Sequence, residues 1–206
     1  MAFMGGSAIK LLAIETTTET CSVALAAKGH WIEDTRFAPR LHNRHVLAMI
    51  DGLLGAASID RRSVELIAFG AGPGSFTGVR IGAAVAQGIA LAIGARVIRV
   101  PSSAVAAESL RRATTRRGPV TLARTSRPGW WYVARYDLLD DRVQCMAFDH
   151  LVAADDIEEE FVDASRCTMN ARIVGELALE GAATAGGAAA AVPFYVEGDS
   201  PWRAAD

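Results

Sequence analysis

The stretch AFGAGPGSFTGVRIG, Ala68 to Gly82, constrains the fold more than any other part of the chain. An apolar run, Leu66–Phe69, precedes it, and a long small-residue apolar run follows it. This is a strand, a glycine loop and a helix start, an arrangement in which backbone N–H groups can meet an anion. It is not a phosphate loop of the G-x-x-x-x-G-K-[ST] type, because no lysine follows the last glycine. Nor does GAGPGS place the third glycine of a dinucleotide fingerprint. Gly74, Gly78, Gly82, Ala86, Ala90 and Gly94 recur every four residues. On a helix they form one ridge that lets another backbone come close. Each helical glycine costs roughly 1 kcal/mol relative to alanine, so tight packing is expected as compensation. The sheet, the helix at 43–57 or another subunit would serve as the mate.

Around this loop the pattern reads as alternating strands and helices. Lys10–Thr16, Cys21–Ala27 and Gly29–Phe37 read as three consecutive antiparallel strands. Val46, Met49, Ile50, Leu53 and Leu54 repeat at helical spacing within Asn43–Ser58, with Asn43 as the N-cap. A helix is predicted from Thr77 or Gly78 to Ile93, a strand over Arg96–Val100, and a helix from Ser102 or Ser103 to Leu110. The order is β-β-β-α-β-α-β-α. Beyond it, Pro119–Ala123, Trp130–Asp137 and Arg142–Phe148 read as strands, Asp155–Phe161 as a short acidic helix and Gly181–Ala191 as a loop or frayed helix. The expected division is into residues 1–107 and a smaller domain, 108–206.

The 206 residues carry a formal net charge of −2, so no global attraction to nucleic acid or membrane is implied. Three dispersed cysteines, Cys21, Cys145 and Cys167, form no framework and point to a reducing compartment. No secretory leader is read at the start, and the apolar run Ile81–Ala95 is short for a membrane span. The cytoplasm is the expected location. Charge is uneven: six arginines and no acid lie between Arg111 and Arg127, six acids and no base between Asp155 and Asp163.

Several residues have chemistry to offer. Glu15 ends the first strand, where an acid can hold a hydrated Mg²⁺. In the glycine loop, Gly72, Gly74, Ser75 and Gly78 are the candidate phosphate or nucleotide contacts. His42 and His45 stand three apart, but no third metal ligand is near and Arg40 and Arg44 flank them. Ser75, Ser102 and Ser103 lack a nucleophile elbow. Trp130, Trp131 and Tyr132, with the arginines before them, offer single-stranded RNA stacking and phosphate contacts, or simply a solvated basic face.

LLAIETTTETCSVAL, the helix near RHVLAMI and IAFGAGPGSFTGVRIGAAVAQGIALA together resemble the TsaB (YeaZ) family over about residues 9–105. That resemblance implies an α/β, actin-like ATPase (ribonuclease-H-like) fold of two βββαβα-type halves with mixed sheets flanked by helices. It implies a non-catalytic scaffold subunit in making threonylcarbamoyladenosine on tRNA. The partners implied are a TsaD-like catalytic subunit, a TsaE-like ATPase, tRNA indirectly, and a second copy when the chain is alone. No membrane partner is implied. No tightly bound cofactor is implied, although ATP or ADP fits the assembled complex. In the catalytic paralogue a His-x-x-x-His metal motif follows the fifth strand; here Ser102 and Ala106 stand in those places, so neither metal ligands nor catalytic residues are expected. Pairing through the first two helices maps onto Val46, Met49, Ile50, Leu53, Val79, Arg80, Ala83 and Gln87. Two alternatives use the same fold: a kinase or ATPase built on Glu15 and the loop, and a metallopeptidase. The chain departs from its relatives after Ala123. Where they show an Asp-Ala-Arg-like element, it reads ARTSRPGWWYVA, with Arg124 in the acid's place.

Overall fold

The computed structural model describes residues 9–157 and 160–196. Strands β1 (Leu11–Glu15), β2 (Thr20–Ala27) and β3 (His30–Phe37) are followed by α1 (His42–Ala57), β4 (Leu66–Gly70), α2 (Phe76–Ile93), β5 (Arg96–Val100) and α3 (Ser102–Ala113). This is the order expected from periodicity. The first sheet runs β3-β2-β1-β4-β5. Its first three strands are antiparallel, and β1, β4 and β5 are parallel. β1 and β4 are buried throughout, which is why they read as unbroken apolar runs.

The second sheet, ordered β8-β7-β6-β9, comprises β6 (Gly118–Arg127), β7 (Trp130–Leu138), β8 (Val143–Ala153) and the two-residue β9 (Val162–Asp163). Helix α4 (Ala171–Glu180) then returns to the first sheet. On one face of that sheet, Val46, Met49, Ile50 and Leu53 of α1 and Ala83, Ala86 and Ala90 of α2 share a core with Leu12, Ile14 and Phe69. On the other face, α3 and α4 fill the space before the second sheet, joining Leu11, Ala13 and Leu66 to Leu122, Tyr136 and Leu138.

Local ends differ from expectation. Leu41, not Asn43, precedes α1, with no side-chain cap. α2 starts at Phe76 because Ser75 accepts a hydrogen bond from the Gly78 amide. Pro101 precedes α3, which runs three residues past Leu110. Of the acidic helix expected at Asp155–Phe161, only a single 3-10 turn, Ala154–Asp156, forms among the described residues; positions 158 and 159 lie outside them. Gly181–Ala191 is loop with two 3-10 turns, Ala182–Thr184 and Ala188–Ala190. α4 and β9 were not anticipated, and α3 spans the expected boundary at 107.

Of the mates expected for the small-residue stripe, the sheet takes Ala86 and Ala90, which share a core with Leu12, Ile14 and Phe69; its glycines have another. Gly74, Gly78 and Gly82 seat on the turn after β1. A Cβ at Gly74 would stand 2.7 Å from the Thr17 carbonyl oxygen, one at Gly82 2.8 Å from Thr16 Oγ1, and one at Gly78 would overlap the Thr16 carbonyl outright. Thr16 Oγ1 donates to the Gly78 carbonyl at 2.8 Å, and the Ser75 amide donates to the Thr17 carbonyl at 2.8 Å. The cost of helical glycines is offset by this seating of α2 on the β1–β2 turn.

Candidate functional site

The glycine loop, the β1–β2 turn, the tip of the β6–β7 hairpin and the segment at 194–196 enclose a cleft of about 1210 Å³. Gly74, Ser75, Arg80, Arg124, Tyr132 and Tyr195 are among its walls. The C-terminal segment is pinned across the loop by the Phe194 amide, which donates to the Ala71 carbonyl at 2.8 Å. Gly72, at φ +99°, turns the chain beneath Phe194.

The five candidate phosphate contacts separate in space. Gly74 and Ser75 face the cleft. Gly72 and Gly78 are buried in the supporting turn. Glu15 is fully buried behind the loop. Its Oε1 accepts from the Thr17 amide at 2.6 Å and from Thr17 Oγ1 at 2.5 Å, while Oε2 has no hydrogen-bond partner and lies against Gly70. Burial pushes the Glu15 carboxyl above its ordinary value; the Thr17 hydrogen bonds and the Arg124 charge pull the other way. A metal-bound carboxylate needs an accessible, ionised oxygen and other oxygen ligands beside it. Glu15 offers one oxygen already spent and one sealed against backbone, with a guanidinium as its charged neighbour. Among the described residues, no group of three His, Cys, Asp or Glu side chains is placed to hold a metal ion. These residues do not fit the hydrated Mg²⁺ of the kinase reading.

The expected interface residues need correction. Val46, Met49, Ile50, Leu53 and Ala83 are buried within the chain itself, because their helices turn that face to the first sheet, and Val79 is buried against Gly72 at the cleft wall. Gln87 is exposed. Arg80 belongs to the cleft wall: its guanidinium carbon lies 3.5 Å from the centre of the Phe76 ring and 5.3 Å from that of Tyr195. Helix α2 is long and apolar enough by length and composition to cross a membrane, contrary to the shortness read from Ile81–Ala95, yet it packs in the core beside the sheet.

Elsewhere, Ser102 and Ala106 are both buried, and Ser102 Oγ donates to Thr17 Oγ1 at 3.3 Å. His42 is buried and His45 half-buried. The aromatic run splits three ways: Trp130 lies under Arg127 at 5.2 Å, Trp131 packs on Phe161 at 5.2 Å, and Tyr132 lines the cleft. Sequence reasoning singled out Arg124 only as a departure; its place beside Gly74 and near Glu15 has no local signal, since β6 reaches them only through the packing of two sheets.

A model of the family described as TsaD, tRNA N6-adenosine threonylcarbamoyltransferase, matches residues 36–198. The chain belongs to the TsaD family. Within it, the chain groups with the TsaB (YeaZ) proteins. It is 46% identical over 95 residues to the tRNA threonylcarbamoyladenosine biosynthesis protein TsaB of Haemophilus influenzae, covering 46% of this chain and 39% of that one. Against TsaB of Escherichia coli it is 43% identical over 83 residues, covering 40% and 36%. The matched stretch thus spans well under half the length of these relatives. A solved structure of YeaZ from Pseudomonas aeruginosa superposes with a TM-score of 0.79 at 26% identity, covering 90% of this chain and 99% of that one. A Pseudomonas aeruginosa protein described as similar to peptidase YeaZ gives 0.80 at 28%, covering 91% and 99%. The TsaB/YeaZ fold is thereby the fold of this chain, actin-like and ribonuclease-H-like.

Proposed function

We propose that the chain is a scaffold subunit, non-catalytic on its own, that pairs with a TsaD-like catalytic subunit to make threonylcarbamoyladenosine on tRNA. The observation that carries this reading is the outer face of α1 and α2. Leu47 is 54% exposed, Phe76 61% and Leu91 78%, with exposed Ala84 and Gly88 on the same side of α2. The inner faces of both helices are already spent on the core, so this apolar surface is free to receive a partner. Small residues at its centre permit close helix approach. Ser102 and Ala106 offer no imidazole, which supports a subunit without the metal chemistry. The names of the Haemophilus and Escherichia relatives support the pathway. The remaining elements of the reading are a TsaE-like ATPase in the assembly, tRNA contacted indirectly, self-pairing when the partner is missing, ATP or ADP at Gly74 and Ser75 in the assembled complex, and a soluble, cytoplasmic location.

The test is co-elution and transfer activity with the catalytic paralogue from the same organism. Ala84→Arg and Leu91→Asp change exposed positions and leave the core intact. Each is expected to abolish co-elution and lower transfer at least about tenfold. Unchanged assembly and activity in both variants would defeat the reading. Val79 and Ala83 are unsuitable for this purpose, since their variants would report on folding.

A further inference from the structure

Arg124 enters the cleft from β6, opposite Tyr132 in the β6–β7 pair. Its Nη1 lies 3.2 Å from the point where a Gly74 Cβ would stand, so the guanidinium rests against the glycine loop. A guanidinium has five N–H donors. Among the described residues Arg124 makes a single hydrogen bond, from Nη2 to the Ala164 carbonyl at a long 3.5 Å. Glu15 is near enough for each charge to act on the other, yet no hydrogen bond or ion pair joins them. Arg80 shares the cleft. Its Nη1 donates to the Phe76 carbonyl at 2.7 Å, and its Nη2 is buried without a partner. The acid among the lining residues is Glu19, which is exposed.

Arg124 therefore faces the cavity with unspent donors, and Arg80, held between the Phe76 and Tyr195 rings, adds a second positive charge to the same wall. Partly buried cations with unmade hydrogen bonds are costly, and an anion that accepts those bonds relieves the cost. A divalent cation in the same place would meet Arg124 as a like charge. Ser75 adds a hydroxyl on the same wall but is secondary to Arg124. We propose that this cleft binds a phosphate group directly through Arg124, with the charge of Arg80 beside it, and without a divalent metal ion. The positive charge that a metal would bring to a phosphate is supplied by the chain. Arg's planar fork suits bidentate phosphate contact. The site is a property of the isolated chain, and Arg124 stands apart from the outer face of α1 and α2, which the cleft meets at Phe76.

The test is isothermal titration of the full chain, alone, with inorganic pyrophosphate and with ADP, each in EDTA and in excess Mg²⁺. Binding in EDTA is expected to be at least as tight as in Mg²⁺, because Mg²⁺ masks the charge that the arginines read. Arg124→Ala is expected to weaken binding about tenfold or more, the scale of a lost charged hydrogen bond, and Arg80→Ala to weaken it by less, since only its charge is lost. If Arg124→Ala loses its native melting transition, Arg124→Gln keeps the aliphatic stem without the charge and answers the same question. Tighter binding of ADP would identify a nucleotide as the source of the phosphate, and equal affinities the phosphate alone; both support the site. Binding that requires Mg²⁺, absence of binding by both probes, or wild-type affinity in the arginine variants would overturn it.

Discussion

The carbonyl oxygen of Thr16 occupies the place where any side chain at Gly78 would begin. The contact is backbone against backbone, so no rotamer change relieves it. Gly78→Ala gains about 1 kcal/mol of helix propensity and must push α2 away from the β1–β2 turn, a strain of roughly 1–3 kcal/mol or more. The Thr16 hydrogen bond to the Gly78 carbonyl is strained with it. Gly88 lies in the same helix with nothing within 4 Å of a Cβ. Gly88→Ala is therefore expected to raise the urea midpoint of the isolated chain by the equivalent of about 0.5–1 kcal/mol, and Gly78→Ala to lower it. Equal shifts in the two variants would mean that α2 is not seated by Thr16.

Much of the first sheet was legible because its signals are local. Buried runs at Leu11–Glu15 and Leu66–Gly70 and the helical repeat from Val46 to Leu54 need no distant residue to be recognised. What the repeat cannot say is which body its apolar face meets. Val46, Met49, Ile50 and Leu53 suit another chain as well as the chain's own sheet, and the sheet takes them. α4 was missed for the opposite reason. It has ten residues, and Gly175 in its middle weakens the helical signal. That glycine is needed because Trp31, far away in sequence, presses on it. In the acidic segment, composition gave no sign that Phe161 would pack on Trp131 of the second sheet. The candidate site was half visible: Gly74 and Ser75 are local features of the loop, whereas Arg124 and Arg80 meet in the cleft only through tertiary packing.

Asp149 gives the fold a pH response in the acid range. Ser103 Oγ donates to its Oδ2 at 2.6 Å and is 2.9 Å from the Tyr136 hydroxyl. Burial pushes the Asp149 carboxyl from 3.8 up to about 6, against the Ser103 hydrogen bond and the charges of His150 and Arg124. The folded chain thus holds this proton more tightly than the unfolded chain. The stability it contributes is full below pH 3.8 and is lost as pH rises through about 6. Asp149→Asn is expected to remove that slope. Chemical denaturation of both proteins at intervals across this range measures it, and parallel curves would count against a half-buried, protonated Asp149.

Glu108 works in the other direction and joins α3 to α4. Its Oε1 accepts from Arg111 Nη2 at 2.7 Å and from Arg112 Nε at 2.6 Å, and Arg112 Nη1 reaches Glu176 Oε2 at 2.5 Å. Burial alone would raise the Glu108 carboxyl; the hydrogen bonds and charges of the two arginines together hold it below 4.5. Its contribution is therefore present above pH 4.5 and is lost as pH falls through the lower folded value. Glu108→Ala leaves Arg111, whose side chain is 14% exposed, without its carboxylate. Breaking a buried pair costs about 3–5 kcal/mol, and the greater exposure of Arg112 places this variant near the lower end. Glu176→Ala removes only a half-exposed partner and is expected to cost about 1 kcal/mol or less. Urea midpoints of the two variants at neutral pH give the comparison; a Glu176 variant as unstable as the Glu108 variant would mean that the α3–α4 contact, not the buried carboxylate, carries the energy.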